Sequence, residues 1–523
     1  MMPTYPAPSP SPDHHDLLHY CRTIRDPLYK YIHITHLENE ILKTRAFQRL
    51  DRVSQMHSVH LVYPNARYSR KCHSLGAMHL IHRAFTSILY KQHRLLRESV
   101  PPLFFKEPIS SKVEGIDDLN KFWHLDAPPG PKNLTWVAQG VRLAGMLHDL
   151  GHAPFSHLFE SICREADVRF KHEEMSRQII EAILLPEVKK KGLDEEMADF
   201  VCDILSDNVI IDGKRLHFLH ELISGPINCD KLDYLVRDAY HAGTPEYGQV
   251  DVDRIIDSFL VEDNHLKIHG SNLDCVMDYF HSVFYMYNAV YFHKTCRLFD
   301  LAIGEALKEQ KDFLKKFKNP WELLKYDEAS FISKIKSNFR KKSEPYLAIE
   351  KFLNREKPLK LVARKKFNLR LEWMTAPGLE PHDSPPELEK LESILEEEEG
   401  RGDYKITVDT GAKSRPVGIT PKKILKWLEE PKIFDTITGK FKKFVEVSSI
   451  DYHYLEQMTI PVAVFIPREF FLSLPKQEFE RLKSSVNDIL NRELNRIKKK
   501  YEEEVKKRTE EELIKAGILS NQV

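Results

Sequence analysis

Charge of one sign is missing from this chain: 78 lysines and arginines meet 78 aspartates and glutamates over 523 residues. The balance excludes a globally basic coat, so any nucleic-acid partner would have to rely on local patches, and net charge does not point to one. Long apolar runs are missing too. No stretch approaches the roughly 20 apolar residues that a membrane helix needs, so no membrane partner is expected. Paired cysteine spacings are absent: Cys21, Cys72, Cys163, Cys202, Cys229, Cys275 and Cys296 form no Cys-x-x-Cys motif. An odd number of unpatterned cysteines fits free thiols in a reducing compartment. The N-terminal MMPTYPAPSPSPDHH lacks the basic-then-apolar order of a secretory signal. These absences predict a soluble, cytoplasmic protein. Its length predicts one large domain with appended pieces, and 28 phenylalanines and 20 tyrosines can fill a sizeable core.

What is present concentrates at Gly145 to His157, GMLHDLGHAPFSH, where His148, Asp149, His152 and His157 fall within ten residues. Imidazole and carboxylate are the groups that hold divalent metals and move protons near neutral pH. An apolar run from Trp136 to Leu147 predicts a buried helix leading into them, and polar groups in such a place must be paired or ligated. The His-Asp dipeptide alone is uninformative. It recurs at His15-Asp16 and His382-Asp383, both in Pro-rich, solvated surroundings.

A metal-dependent hydrolase gathers ligands from distant positions and leaves coordination sites open for water and substrate. His73 near a predicted helix start, the adjacent His148 and Asp149, and Asp230 suit that need. The His148-Asp149 pair is read as lying on one helix, about 100° apart. Two imidazoles and two carboxylates fit a divalent metal: Fe, Mn, Zn or Mg. Taken singly, His73 would more often be a capping or core histidine, and Asp230 an N-cap. The spacing of Asp230, Tyr234, Asp238 and His241 at steps of four, four and three places them on one helical face, with Leu232, Leu235 and Val236 opposite. Arg70, Lys231 and Lys294 add cations for an anionic substrate. Tyr285, Tyr287 and Tyr291 read as core tyrosines by pattern, although they could also stack on a nucleoside.

The predicted fold class is mainly α: an all-helical core with a short hairpin, plus a smaller α+β C-terminal lobe ending in a long charged helix. We expect a flexible Pro-rich leader at 1–16, the catalytic core at 17–318, a mixed lobe at 319–475 with an acidic Pro-rich loop at 377–403, and an amphipathic helix at 476–523. Within the core, Asp26-Pro27 and Thr44 read as helix starts, and Phe105 to Leu134 as a surface loop. Helices are expected over His172–Leu185 and Asp194–Leu205, and one long helix over Met277–Leu307. A hairpin is expected at Phe259–Val261 and His265–Ile268, turning at Glu262-Asp263-Asn264. Lys405–Val408 and Ile460–Ile466 read as strands. The C-terminal stripe from Phe479 through Leu490 to Val505 suits either a partner helix or packing on the chain's own body.

The ordered set His73, His148-Asp149, Asp230 resembles the signature of the HD-domain phosphohydrolases. The segments YPNARYSRKCHSLG, GMLHDLGHAPFSH and CDKLDYLVRDAYHAG narrow the likeness to the dNTP triphosphohydrolases, as in the catalytic domain of the SAM-and-HD-domain dNTPase and bacterial dGTPase-like proteins, over about Arg22 to Asp300. The resemblance implies metal ligation by His73, His148, Asp149 and Asp230. It implies active-site roles for His152, His157 and His172, with His157 or His152 as proton donor. It implies phosphate contacts from Arg70 and Lys231, sugar contacts from Gln55, Tyr234 and Asp238, and stacking by Tyr291. The implied chemistry is metal-assisted attack of water on the α-phosphorus of a deoxynucleoside triphosphate, releasing deoxynucleoside and tripolyphosphate. A nucleotide activator and a homo-oligomer, tetramer or hexamer, are implied as partners. The sequence departs from the family at Val283, where relatives carry a phosphate-reaching arginine, at Lys43 and Asp51 in the regulatory pocket, and at Glu160, where an aspartate is usual.

Two other functions share these residues. One is an HD-type nucleotide phosphodiesterase or nuclease. The other is a nucleotide-binding assembly or sensor protein without turnover. If the first reading holds in a microbial host, dNTP depletion would serve antiviral defence.

Overall fold

A computed structural model of the chain describes residues 18, 20–99, 134–211, 214–368, 386–399, 404–410, 432–435, 438–443 and 459–515. The leader at 1–16 and nearly all of the expected loop from Phe105 to Leu134 lie outside the described residues. The architecture is mainly α. Its centre is the helix Arg70–Ser99, against which the helices Leu134–Leu147 and Cys229–Ala242 pack. The Leu134–Leu147 helix is buried on every side over its described side chains, as its apolar composition requires.

The chain enters through an antiparallel hairpin, Tyr20–Asp26 with Lys30–Thr35. The expected helix start at Asp26-Pro27 is therefore corrected to a turn. The Asp26 carboxylate accepts from the backbone N–H groups of Leu28 and Tyr29 at 2.9 and 3.1 Å, an Asx arrangement that serves turns as readily as caps. Thr44 does cap a helix, Arg45–Arg49, through its hydroxyl and the N–H of Phe47. The second hairpin forms as expected, Phe259–Glu262 with His265–His269. Strands Lys432–Asp435 and Lys440–Lys443 extend it to four strands. Farther along, Leu359–Asn368, Thr459–Pro467 and Thr407–Asp409 make a three-stranded antiparallel sheet with Thr459–Pro467 in the middle.

Two other expectations are corrected. Met277–Leu307 is not one helix. The helix Leu273–Tyr285 runs into a widened turn, Met286–Tyr291, and breaks at Phe292–His293 before Lys294–Lys308. The N–H of Phe292 reaches back five residues to Tyr287 O at 2.9 Å, which turns Tyr287 and Tyr291 inward. No proline or glycine marks that break. The second correction concerns 377–403, where the described part is helical rather than a loop: Pro386–Glu389 and Leu391–Glu399. Leu391 and Leu395 are buried one turn apart, and the acidic run meets the helix Lys476–Lys515, where Arg492 pairs with Glu398 and Ser485 donates to Glu399. That C-terminal helix packs on the chain's own body, burying Val486, Ile489, Leu490 and Ile497 in the same apolar cluster as the core. No helix among the described residues is long and apolar enough to cross a membrane.

Candidate functional site

Four residues from three segments converge on one point. His73 projects from the first turn of Arg70–Ser99, and Asp230 from the first turn of Cys229–Ala242. His148 and Asp149 follow the end of Leu134–Leu147. The expectation of one helix carrying both is corrected: helical geometry ends at Leu147, and two reverse turns follow, closed by Leu150 N–H to Leu147 O and His152 N–H to Asp149 O, both at 3.1 Å. Gly151 makes this possible. A Cβ there would lie 2.3 Å from His172 O and 2.4 Å from Ser176 N, so the start of the helix His172–Ile179 can sit directly on the turn. Ser176 clamps it, donating to His148 O at 2.6 Å and accepting from Gly151 N–H at 2.8 Å. From the other side, buried Arg49 donates to the carbonyls of Leu150 and His152.

The geometry fits a cation. His73 Nε2 lies 3.0 Å from Asp230 Oδ1 and 3.6 Å from Asp149 Oδ2. His148 Nε2 lies 3.3 Å from Asp149 Oδ1 and 3.5 Å from Asp230 Oδ1. Both Nε2 atoms are buried without a well-directed hydrogen bond among the described residues. Their Nδ1 atoms are already committed, His73 to Asp233 at 2.8 Å and His148 to Gly145 O at 2.9 Å. An imidazole anchored through one nitrogen presents the other as a ligand lone pair. Counting protein groups alone, burial disfavours a charged His73, yet Asp230, Asp233 and Asp149 outweigh it and raise the ring to about 10. Burial likewise opposes ionisation of Asp149, but His148 and Arg70 hold it well below the usual carboxylate range. Two imidazoles and two carboxylates drawing positive charge into one buried point are a donor set suited to a divalent metal.

Sequence reasoning missed the support behind these ligands. Asp233 is fully buried. It accepts from His73, from Tyr29 Oη at 2.8 Å and from Arg237, which also reaches Asp26 at 2.8 Å. The signal was available as the acid–acid–base spacing Asp230, Asp233, Arg237 on one helix, but Asp26 and Tyr29 come from the hairpin and carried none.

A histidine cluster adjoins the ligands. The rings of His152 and His172 stack at 3.8 Å, with His157 edge-on to both. Glu160 accepts from His172 Nδ1 at 2.6 Å and faces His157 Nδ1 at 3.3 Å. Burial disfavours a charged His172, but Glu160 and Glu173 outweigh it and raise the ring to about 9. His152 goes the other way, lowered by burial, Arg70 and His172. Arg70 bridges the two groups of residues, donating from Nη1 to Asp149 and from Nε to Ser156 Oγ at 2.9 Å.

The remaining expected residues divide. Asp238 is buried and accepts from Tyr68 and Tyr291 hydroxyls, while Tyr234 packs edge-on to His73 at 6.4 Å. Gln55 lies beside Tyr68, its N–H donating to Tyr68 O at 3.2 Å, with its side-chain oxygen buried and unbonded among the described residues. Lys231 directs its ammonium to Gly225 O at 2.6 Å rather than toward the ligands. Lys294 is exposed at the start of its helix and makes no described contact with the cluster. Val283 is buried in the core.

The HD domain model matches residues 138–218, and the model of an HD associated region matches 250–356. This chain carries an HD domain. His148 and Asp149 lie inside the HD match, whereas His73 and Asp230 lie outside it. A Bacillus subtilis relative, the uncharacterized protein YwfO, is 28% identical over 55% of this chain and 56% of its own length. The deoxynucleoside triphosphate triphosphohydrolase SAMHD1 homolog of Dictyostelium discoideum is 27% identical over 56% of this chain and 50% of its own. Human SAMHD1 is 26% identical over 56% and 45%. The chain thus spans about half the length of these curated relatives. Among solved structures, the fold is shared with a hypothetical protein of Aquifex aeolicus (TM-score 0.60, 22% identity, 88% of this chain and 99% of that one). It is also shared with a phosphohydrolase of Bacteroides thetaiotaomicron (TM-score 0.58, 21% identity, 85% and 100%).

Proposed function

We propose that this HD-domain phosphohydrolase cleaves deoxynucleoside triphosphates, water attacking the α-phosphorus and the Pα–O5′ bond breaking to give deoxynucleoside and tripolyphosphate. The observation that carries the reading is the spacing of two sites on one helix, the ligand cluster at Asp230 and the hydroxyl-bonded Asp238 two turns later. The triphosphohydrolase names of two relatives support it.

His73, His148, Asp149 and Asp230 would hold a divalent metal, which supplies Lewis acidity to a phosphoryl oxygen. Arg70, fixed by Asp149 and Ser156, faces the same point and can neutralise phosphate charge. His172, held charged by Glu160, adds a second cation. Of the two candidate proton donors, His152 is neutral in this setting and poorly suited. His157, oriented by Glu160, is the better donor to the departing 5′-oxygen. Lys231 gives one of its three ammonium donors to Gly225 O and can offer another to phosphate. The same reading carries with it a cytoplasmic site of action, a nucleotide activator and a homo-oligomer.

The test is incubation of the full chain with each dNTP and Mn²⁺ or Mg²⁺, alone and in pairs. Deoxynucleoside plus tripolyphosphate supports the reading. Pyrophosphate or monophosphate would replace it with a phosphodiesterase or nuclease reading, which the buried Val283 favours because no arginine stands there for the terminal phosphates.

A further inference from the structure

Phe155 and Ser156 both adopt left-handed backbone, at φ 65° and 54°. Glycine takes that conformation readily, whereas a bulky aromatic residue persists there only when its surroundings over-determine it. The position of this step matters. It opens the helix Ser156–Glu165 and so aims His157, whose ring stands edge-on to His152 and His172. It also sets Ser156 Oγ, which accepts from Arg70 Nε at 2.9 Å.

The restraint comes from beyond the HD match, out of the HD associated region. Phe155 is buried, and its ring lies edge-on to Phe331 at 6.0 Å and to Phe352 at 5.7 Å. Phe331 belongs to the helix Glu328–Ser337 and Phe352 to the helix Glu344–Leu353. The first of these helices reaches the step a second time. Glu328, three residues before Phe331 and on the same face, accepts from Ser54 N–H at 3.0 Å. Ser54 O in turn accepts from Ser156 Oγ at 3.3 Å, and the neighbouring Val53 O accepts from Arg70 N–H at 2.9 Å. Asp327 already caps the helix through Ser330 N–H, so the Glu328 carboxylate serves Ser54 rather than its own helix end.

We propose that Phe331 and Glu328 are positioning residues for hydrolysis: from one helical face they pin the left-handed Phe155–Ser156 step, which holds His157 in its cluster and Arg70 on Ser156. Their role rests on the reading above, in which His157 is the proton donor and Arg70 a phosphate-neutralising cation. Neither residue stands out in the sequence, because Glu328 lies 274 residues from Ser54.

The experiment measures kcat, KM and bound Mn²⁺ of the full chain with dNTP substrates, well below the Tm of each variant. Phe155→Ala and Phe155→Gly both remove the ring, but only glycine takes the left-handed step unaided. In Phe155→Ala kcat should fall roughly ten-fold, and in Phe155→Gly clearly less. Phe331→Ala should lower kcat as well, and adding Phe155→Gly to it should regain part of the loss although more of the core is gone. Glu328→Gln keeps an acceptor for Ser54 and should stay near wild type, whereas Glu328→Ala should not. Bound Mn²⁺ should match wild type throughout, because none of the four ligands lies on the step. A role in packing alone ranks glycine at or below alanine at position 155, and that ranking overturns the proposal. If Phe331→Ala fails to fold, the two Phe155 variants decide by themselves. Release of pyrophosphate or monophosphate by the wild-type chain overturns the triphosphohydrolase reading only, and the same ranking is then read on that product. A wild-type chain that hydrolyses no dNTP overturns both.

Discussion

His73 and His148 each commit one ring nitrogen to the protein and keep the other for a ligand. His148→Ala should remove bound Mn²⁺, from one ion per chain to well under half by elemental analysis, and abolish turnover. A thermal melt should show the fold retained, since only Gly145 O loses a partner while the backbone N–H of residue 148 keeps its bond to Ala144 O. A collapsed melt would mean that the ring is structural. Glu160 offers a pH test. His172 is raised from 6.5 to about 9, so its share of stability is complete below pH 6.5 and is lost as pH rises through 9. Glu160 is lowered from 4.5, with His172 and His157 overcoming the burial that opposes its ionisation, so its share is present above pH 4.5 and lost on acidification. Glu160→Gln should therefore lower Tm most between pH 4.5 and 6.5 and hardly at all above pH 9. A gap that does not narrow on the alkaline side refutes the pairing.

At the scale of elements, the turn after Leu147 matters more than the helix before it. Gly151→Ala forces a Cβ into the backbone of His172 and Ser176. Overpacking of this kind costs about 1–3 kcal/mol, so Tm should fall and Mn²⁺ affinity should fall with it, because the displaced turn carries both His148 and Asp149. Unchanged metal affinity would show that the turn does not set the ligands. Local signals read most elements well: Thr44 and Asp194 cap helices, and the Glu262–Asn264 turn closes its hairpin. They failed where one signal serves two structures, as with Asp26, and where tertiary contacts broke a continuous pattern. Tyr63 Oη donates to Ala289 O at 3.0 Å inside the widened turn that ends the Leu273–Tyr285 helix, and nothing in the local sequence announces that bond.

Across the whole molecule, the small three-stranded sheet is joined to the helical body by buried charge as well as by apolar packing. Arg297 in the helix Lys294–Lys308 donates to both oxygens of Asp409 in the small sheet, at 2.9 and 3.0 Å, and faces Asp300 at 3.4 Å. Removing one partner of a buried pair costs about 3–5 kcal/mol. Asp409→Ala should thus lower stability by that order in chemical denaturation, and the double change Arg297→Met with Asp409→Leu should recover much of it. If the single variant matches wild type, the sheet is not anchored through this pair.

The sequence by itself determined the kinds of group and their local faces: His148-Asp149 after a buried helix, Asp230 and Asp238 two turns apart on another, and an apolar stripe down the last helix. These follow from periodicity, which acts over a few residues. Only the tertiary structure decided that His73 rests on Asp233, that Tyr68 and Tyr291 share Asp238, and that the acidic run folds as a helix against Arg492. Each of those depends on packing between distant segments, where burial removes water and leaves a polar group no partner except the one the fold brings to it.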